Sequence, residues 1–116
     1  MRYMQLFLSV ISVAEVRSGI AKAAPEGATA KAQRLKEWWE SIEYLYAQKL
    51  LPFDLSCAHA AGQILDDARV HQPGFEDIAI AATAKVHSLT VLTRNMRYFE
   101  PLDVRAFNPF VILPEL

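Results

Sequence analysis

Short apolar runs of strand length alternate with longer amphipathic segments in this sequence, and that alternation most restricts the fold. Runs rich in β-branched and large aliphatic residues predict buried strands, whereas apolar residues spaced three and four apart predict helices. The predicted strands or extended segments cover residues 6–11, 50–53, 89–93 and 104–107, and the predicted helices cover 12–23, 28–49, 54–71 and 76–87. Interleaved strands and helices favour an α/β fold in which helices flank a parallel sheet on both faces.

Local motifs indicate where the helices begin. Ser12 and Glu15 have the spacing of a capping box, which predicts that the first helix starts at Ser12. Asp54 or Ser56 is expected to cap the third helix. The segment 76–87 is apolar on nearly all sides, so we expect this helix to be buried.

Charge and composition restrict the class of protein. The 116 residues carry 12 Lys and Arg against 13 Asp and Glu, a net charge of −1, which gives no bulk electrostatic sign of nucleic-acid binding. The single cysteine, Cys57, excludes an internal disulfide framework and a multi-cysteine zinc site. No apolar run is long enough to span a bilayer, and no signal peptide is recognisable. We therefore expect one cytoplasmic domain covering residues 1–116, with the residues between positions 23 and 29 as a loop.

Three polar residues occupy the positions at which α/β proteins bind ligands, next to the carboxyl ends of predicted strands. These are Glu15, Asp77 and Asn95. Each also has a structural interpretation: Glu15 completes a capping box, Asp77 suits the first turn of a helix, and Asn95 is a common turn residue. Their oxygen donors, with no histidine at matching positions, suit Mg²⁺ or Mn²⁺ better than zinc.

The sequence resembles the PIN domains of the FitB/VapC-like branch in several ordered segments that together extend over essentially the whole chain. The matching segments are residues 7–19, 51–54, 77–84, Thr93-Arg94-Asn95, Phe99 and 107–110. The third of them has the form D-x-x-I-A-A-T-A. No single segment is specific, but their order and spacing are.

The resemblance implies a parallel α/β fold and a metal-dependent ribonuclease activity, typically that of the toxin in a toxin–antitoxin pair. By this resemblance Glu15, Asp77 and Asn95 are catalytic residues, with Glu15 and Asp77 as ligands of Mg²⁺ or Mn²⁺. Arg17 and Arg94 match basic positions that would contact RNA. The implied partners are an RNA substrate, a cognate antitoxin and a second copy of the chain.

The sequence departs from the family at its beginning. Family members start with a short strand that ends in D-T-N and lies at the centre of the sheet, whereas this sequence has only residues 1–5 before the 6–11 strand. The first family acid and its strand are therefore expected to be missing. The two strands that would flank the missing one are then expected to pair with each other or to receive a strand from a partner chain. The third alternative is that the natural form of the chain is longer.

Three functions follow as alternatives. The first is a ribonuclease impaired by the loss of one acidic ligand. The second is a non-catalytic remnant that binds an antitoxin or dimerises, with the acids serving as helix caps. The third is a fragment that persists only as an oligomer, because an opened sheet edge is prone to association.

Overall fold

The computed structural model describes residues 6–23 and 29–109. Five α-helices occur in these ranges: α1 (Val10–Ala23), α2 (Thr29–Leu45), α3 (Leu55–Asp67), α4 (Phe75–Val86) and α5 (Met96–Phe99). The described strands are β1 (Leu8–Ser9), β2 (Leu50–Leu51), β3 (Val91–Leu92) and β4 (Ala106–Phe107). The predicted α/β class and the order of these elements are confirmed, while α5 was not predicted. Three parts of the chain discussed above lie partly or wholly outside the described ranges: residues 1–5, the predicted loop between 23 and 29, and the end of the 107–110 segment.

The described strands form two separate parallel pairs. β1 pairs with β2, with Leu8 opposite Leu50, and β3 pairs with β4, with Val91 opposite Ala106. The parallel direction agrees with the prediction, because each pair is joined by a helical crossover rather than a tight turn. Each strand is only two residues long, so the predicted limits 6–11, 89–93 and 104–107 were too wide.

The start of α1 corrects the predicted capping box. The Ser9 hydroxyl oxygen accepts a hydrogen bond from the Ile11 backbone N–H at 3.1 Å, which satisfies one of the amide groups left open at a helix start. α1 therefore begins at Val10 and not at Ser12. The apolar residues at positions 10 and 11 belong to the helix, and Glu15 falls in its second turn, beyond the reach of a capping box.

The chain divides into two compact units, residues 1–52 and 53–116. In the first unit, α1 and α2 are joined through the carboxylate of Glu43. Arg17 donates two hydrogen bonds to it, at 3.3 and 2.8 Å, and the indole Nε1 of the buried Trp39 donates a third at 3.0 Å. A planar guanidinium matches a carboxylate in two-point contact, so this geometry fixes the orientation of both side chains.

The second unit contains the larger apolar core, built where α3 packs against α4. Half of the twelve residues of α4 are buried, as the all-round apolar pattern predicted: Ile78, Ala79, Ala81, Ala82, Thr83 and Ala84. The alanines leave room for the neighbouring elements to approach the helix closely. β3 and the segment after it complete this core with Val91, Phe99 and Leu102.

The expected cap of α3 is also present. The Asp54 carboxylate accepts a hydrogen bond from the Cys57 backbone N–H at 3.1 Å, so Asp54 and not Ser56 occupies the N-cap position. The α-helix ends at Asp67 and continues as a short 3₁₀ turn over Arg69–His71. Within the described ranges, no helix combines the length and the apolar character needed to cross a membrane.

Candidate functional site

Asp77 lies in the first turn of α4 and is half-buried. Burial, followed by repulsion from the adjacent Glu76, raises the pKa of its carboxyl group above the ordinary value. Across residues 6–23 and 29–109, we find no hydrogen bond or ion pair to the Asp77 carboxylate. The favourable position at a helix N-terminus therefore does not offset the lost hydration, and none of the described residues pairs with the carboxylate oxygens.

Asn95 directly precedes α5, but its side chain does not cap that helix. Its backbone has φ of −104°, so the residue is not in the left-handed conformation that favours asparagine in turns. Its backbone N–H donates to the Thr93 hydroxyl at 3.0 Å, and its carbonyl accepts from the Tyr98 N–H at 3.0 Å. These contacts hold the backbone of Asn95 at the turn that opens α5, and its side-chain amide does not cap the helix.

Asp77 and Asn95 lie on either side of the connection between α4 and β3. This connection folds back tightly, with the Leu89 N–H donating to the Ala84 carbonyl at 2.8 Å. Asn95 follows the carboxyl end of β3, the edge where parallel α/β sheets bind ligands, whereas Asp77 lies in the first turn of α4. The convergence of the two side chains stays a prediction.

Glu15 is exposed on α1 and belongs to the first unit, whereas Asp77 and Asn95 belong to the second. The capping interpretation of Glu15 was wrong, because Ser9 performs that role. The convergence of Glu15 with the other two residues stays a prediction.

The two predicted RNA-binding arginines differ in their surroundings. Arg17 is held by Glu43, and the hydrogen bonds between them raise the pKa of the Arg17 guanidinium and lower the pKa of the Glu43 carboxyl. This engagement gives Arg17 a structural role between α1 and α2. Arg94 is exposed at the bend that follows β3, adjacent to Asn95.

The available donors fit a hard divalent cation. Asp77 offers a carboxylate without a described protein partner, and Asn95 offers a neutral amide oxygen after the end of β3; such oxygens are ligands of Mg²⁺ and Mn²⁺. Among the residues that the structure describes, no group of three or more His, Cys, Asp or Glu side chains is arranged so that it could hold a metal ion. The predicted set contains only two acids, and the structure leaves its ability to hold a metal untested.

An exposed pair after Asn95 was not singled out from the sequence. The Arg97 guanidinium carbon lies 5.0 Å from the centroid of the Tyr98 ring, and its Nη2 donates to the Tyr98 hydroxyl at 3.1 Å. The sequence signal was present as two arginines, Arg94 and Arg97, followed by the aromatic residue Tyr98. The small net charge of the whole chain, −1, did not indicate this local concentration of basic groups.

The comparison with known families agrees with the fold and the ordered motifs. Residues 2–103 match the sequence profile of the PIN domain. The chain belongs to the PIN domain family.

Individual relatives match this PIN domain over most of their length. Toxin FitB of Neisseria gonorrhoeae (strain ATCC 700825 / FA 1090) is 41% identical over 108 residues, which cover 90% of this chain and 76% of FitB. VapC ribonuclease Y4jK of Sinorhizobium fredii (strain NBRC 101917 / NGR234) is 35% identical over 107 residues, covering 90% of this chain and 75% of the relative. The crystal structure of FitAcB from Neisseria gonorrhoeae is 43% identical, with a TM-score of 0.79, and covers 90% of this chain and 75% of that one.

Proposed function

We propose that this PIN domain is a metal-dependent endoribonuclease and the toxin component of a toxin–antitoxin pair. The observation that carries the proposal is the half-buried Asp77 carboxylate, which has a raised pKa and no described protein partner. Two relatives support the class of activity, since one is named a toxin and the other a VapC ribonuclease.

Asp77 and Glu15 are the proposed ligands of Mg²⁺ or Mn²⁺, and Asn95 is proposed to orient water or to complete the set of oxygen donors. When bound, such a cation polarises a phosphodiester and lowers the pKa of water. The Asp77 carboxylate holds negative charge at the sheet edge, while the Asn95 amide donates or accepts a hydrogen bond there. Arg94 is proposed to contact a phosphate of the RNA.

The proposed activity is weak, because Asp77 and Glu15 are the only acids assigned as ligands. Mg²⁺ keeps much of its water and needs well-placed carboxylates, so a site with fewer of them binds the cation less tightly.

A cleavage assay tests the proposal directly. The purified chain is incubated with a fluorogenic single-stranded RNA and Mn²⁺, together with Asp77→Asn and the matched control Asp66→Asn, an exposed acid near the end of α3. We expect slow cleavage that Asp77→Asn reduces at least tenfold and Asp66→Asn leaves unchanged. Cleavage that is insensitive to Asp77→Asn would contradict the assignment of the site, and rapid cleavage abolished by Asp77→Asn would contradict the impairment.

A second candidate is a non-catalytic module that binds an antitoxin. An apolar stripe on α2 supports it: Trp38 and Leu45 are 59% and 72% exposed, and Leu35 lies on the same face of the helix. Calorimetric titration with Mn²⁺ separates the candidates, because heat that disappears in Asp77→Ala favours the nuclease and absence of binding favours the module.

The proposed homodimer and cytoplasmic location accompany either candidate, and sedimentation tests the dimer.

A further inference from the structure

We propose that Arg97 and Tyr98 form a binding subsite for single-stranded RNA, in which Tyr98 stacks on a base and Arg97 contacts the backbone beside it. The inference rests on the proposed ribonuclease function and deepens it, because it assigns part of the substrate recognition to residues outside the predicted set of ligands.

The position of the pair follows from the short helix α5. Met96 is half-buried and Phe99 is 4% exposed, so this turn is attached to the core by its inner side. Tyr98 follows Asn95 by three positions, and its N–H donates to the Asn95 carbonyl at 3.0 Å. Asn95 and Tyr98 are thus the two ends of one hydrogen-bonded turn. An RNA strand at Asn95 therefore has Tyr98 within reach of an adjacent nucleotide.

The geometry of the pair suits stacking. The Arg97 guanidinium lies over one face of the Tyr98 ring, 5.0 Å from its centroid, and donates one hydrogen bond to the hydroxyl, so the opposite face is the one proposed to take a base. Tyr98 remains 45% exposed, so ring surface is available to a base. A guanidinium has five N–H donors, which leaves Arg97 with donors for a phosphate while it remains next to the ring. Aromatic rings and arginine planes are the groups on which proteins stack unpaired bases.

The positive charge around Arg97 favours RNA as the ligand over a protein surface that carries charges of both signs. Residues 93–99 contain two arginines, Arg94 and Arg97, and no acid, although the whole chain has a net charge of −1. Proteins that bind single-stranded nucleic acid combine positive charge along the path of the backbone with exposed aromatic rings on which the bases stack.

The test measures RNA binding without cleavage. All proteins carry Asp77→Asn, and fluorescence anisotropy with a labelled, unstructured oligoribonucleotide is recorded over a range of NaCl concentrations. We expect Tyr98→Leu to weaken binding about tenfold, because stacking contributes about 1–3 kcal/mol per base. Tyr98→Phe keeps the ring and should bind within about twofold of the parent. Arg97→Gln should weaken binding and reduce the slope of log K against log salt by about 0.7.

Two control variants match these substitutions: Tyr44→Leu, an 83% exposed tyrosine on α2, and Arg69→Gln, an exposed arginine after α3. Both should bind RNA as the parent does, and circular dichroism melting of every variant checks the fold. If the parent binds RNA and the Tyr98 and Arg97 variants bind equally well, the subsite is wrong while the ribonuclease proposal stands. If the parent binds no RNA at any salt concentration, both proposals fail. If the variants change sedimentation and not RNA binding, the pair is a protein contact and the subsite is overturned.

Discussion

Asp77 shows how burial changes the contribution of a single charged side chain to stability. A carboxylate in the first turn of a helix normally gains from the helix dipole. At Asp77 burial outweighs this gain, because the pKa of the group is raised and no described partner compensates its charge. Asn95 opens the turn that leads into α5, and its side-chain amide forms no cap of that helix.

The raised pKa predicts how stability changes with pH in Asp77→Asn. Folding favours the protonated form, so the stability associated with Asp77 is present below its unfolded pKa and is lost as the pH rises through its folded pKa. Asp77→Asn should therefore raise Tm at pH 7 by about 2 °C, an advantage that disappears below about pH 4. Scanning calorimetry without divalent metal measures this. A lower Tm for the variant at pH 7, with Asp66→Asn unchanged, would show that the carboxylate has a stabilising partner.

Among the elements, helix capping and burial were predicted more accurately than the residues at which helices and strands begin and end. The Asp54 cap and the buried character of α4 act over a few residues, and the sequence revealed both. The end of β1 was misplaced, because positions 10 and 11 are suitable for a strand or a helix and the Ser9 cap decides between them. Strands of two residues carry too short a pattern for periodicity to define their ends.

The contact of α1 with α2 yields a prediction on coupling. Arg17 and Glu43 are 40% and 23% exposed and meet in two-point geometry, and Trp39 supports the carboxylate. Arg17→Ala and Glu43→Ala should each lower Tm by about 2–4 °C, and the double variant should lose clearly less than their sum. Thermal melts at low and high salt measure the coupling. The exposed Gln33–Glu37 pair is the control, since Glu37→Gln should change Tm by under about 1 °C. Additive losses would mean that the ion pair contributes nothing to stability.

In the molecule as a whole, burial is unevenly divided between the two units. Among the described residues of the first unit, Ala32 and Trp39 are the buried side chains, whereas a continuous cluster fills the second unit. α1 contains no buried residue, while α4 contains six. Packing of this kind determines how often a segment opens, so the two units are expected to differ in local stability.

Native-state hydrogen exchange tests this difference. Backbone amides in α4 should exchange only through near-global unfolding, whereas those in α1 should exchange at least about tenfold faster. The comparison uses mid-helix amides, such as those of Ala82 and Arg17, because helix ends fray in any protein. Equal protection of the two helices would show that α1 is stabilised as strongly as the core.

The sequence by itself determined the α/β class, the order of the predicted elements, the cap at Asp54 and the burial of α4, because these depend on periodicity and on contacts a few residues apart. It also determined the family, since the ordered motifs extend over most of the chain. Only the tertiary structure decided that Arg17 is held by Glu43, 26 positions away, and that Asp77 is half-buried without a described partner. Such properties arise when distant segments pack together and remove water from the groups between them, and no local pattern in the sequence records that event.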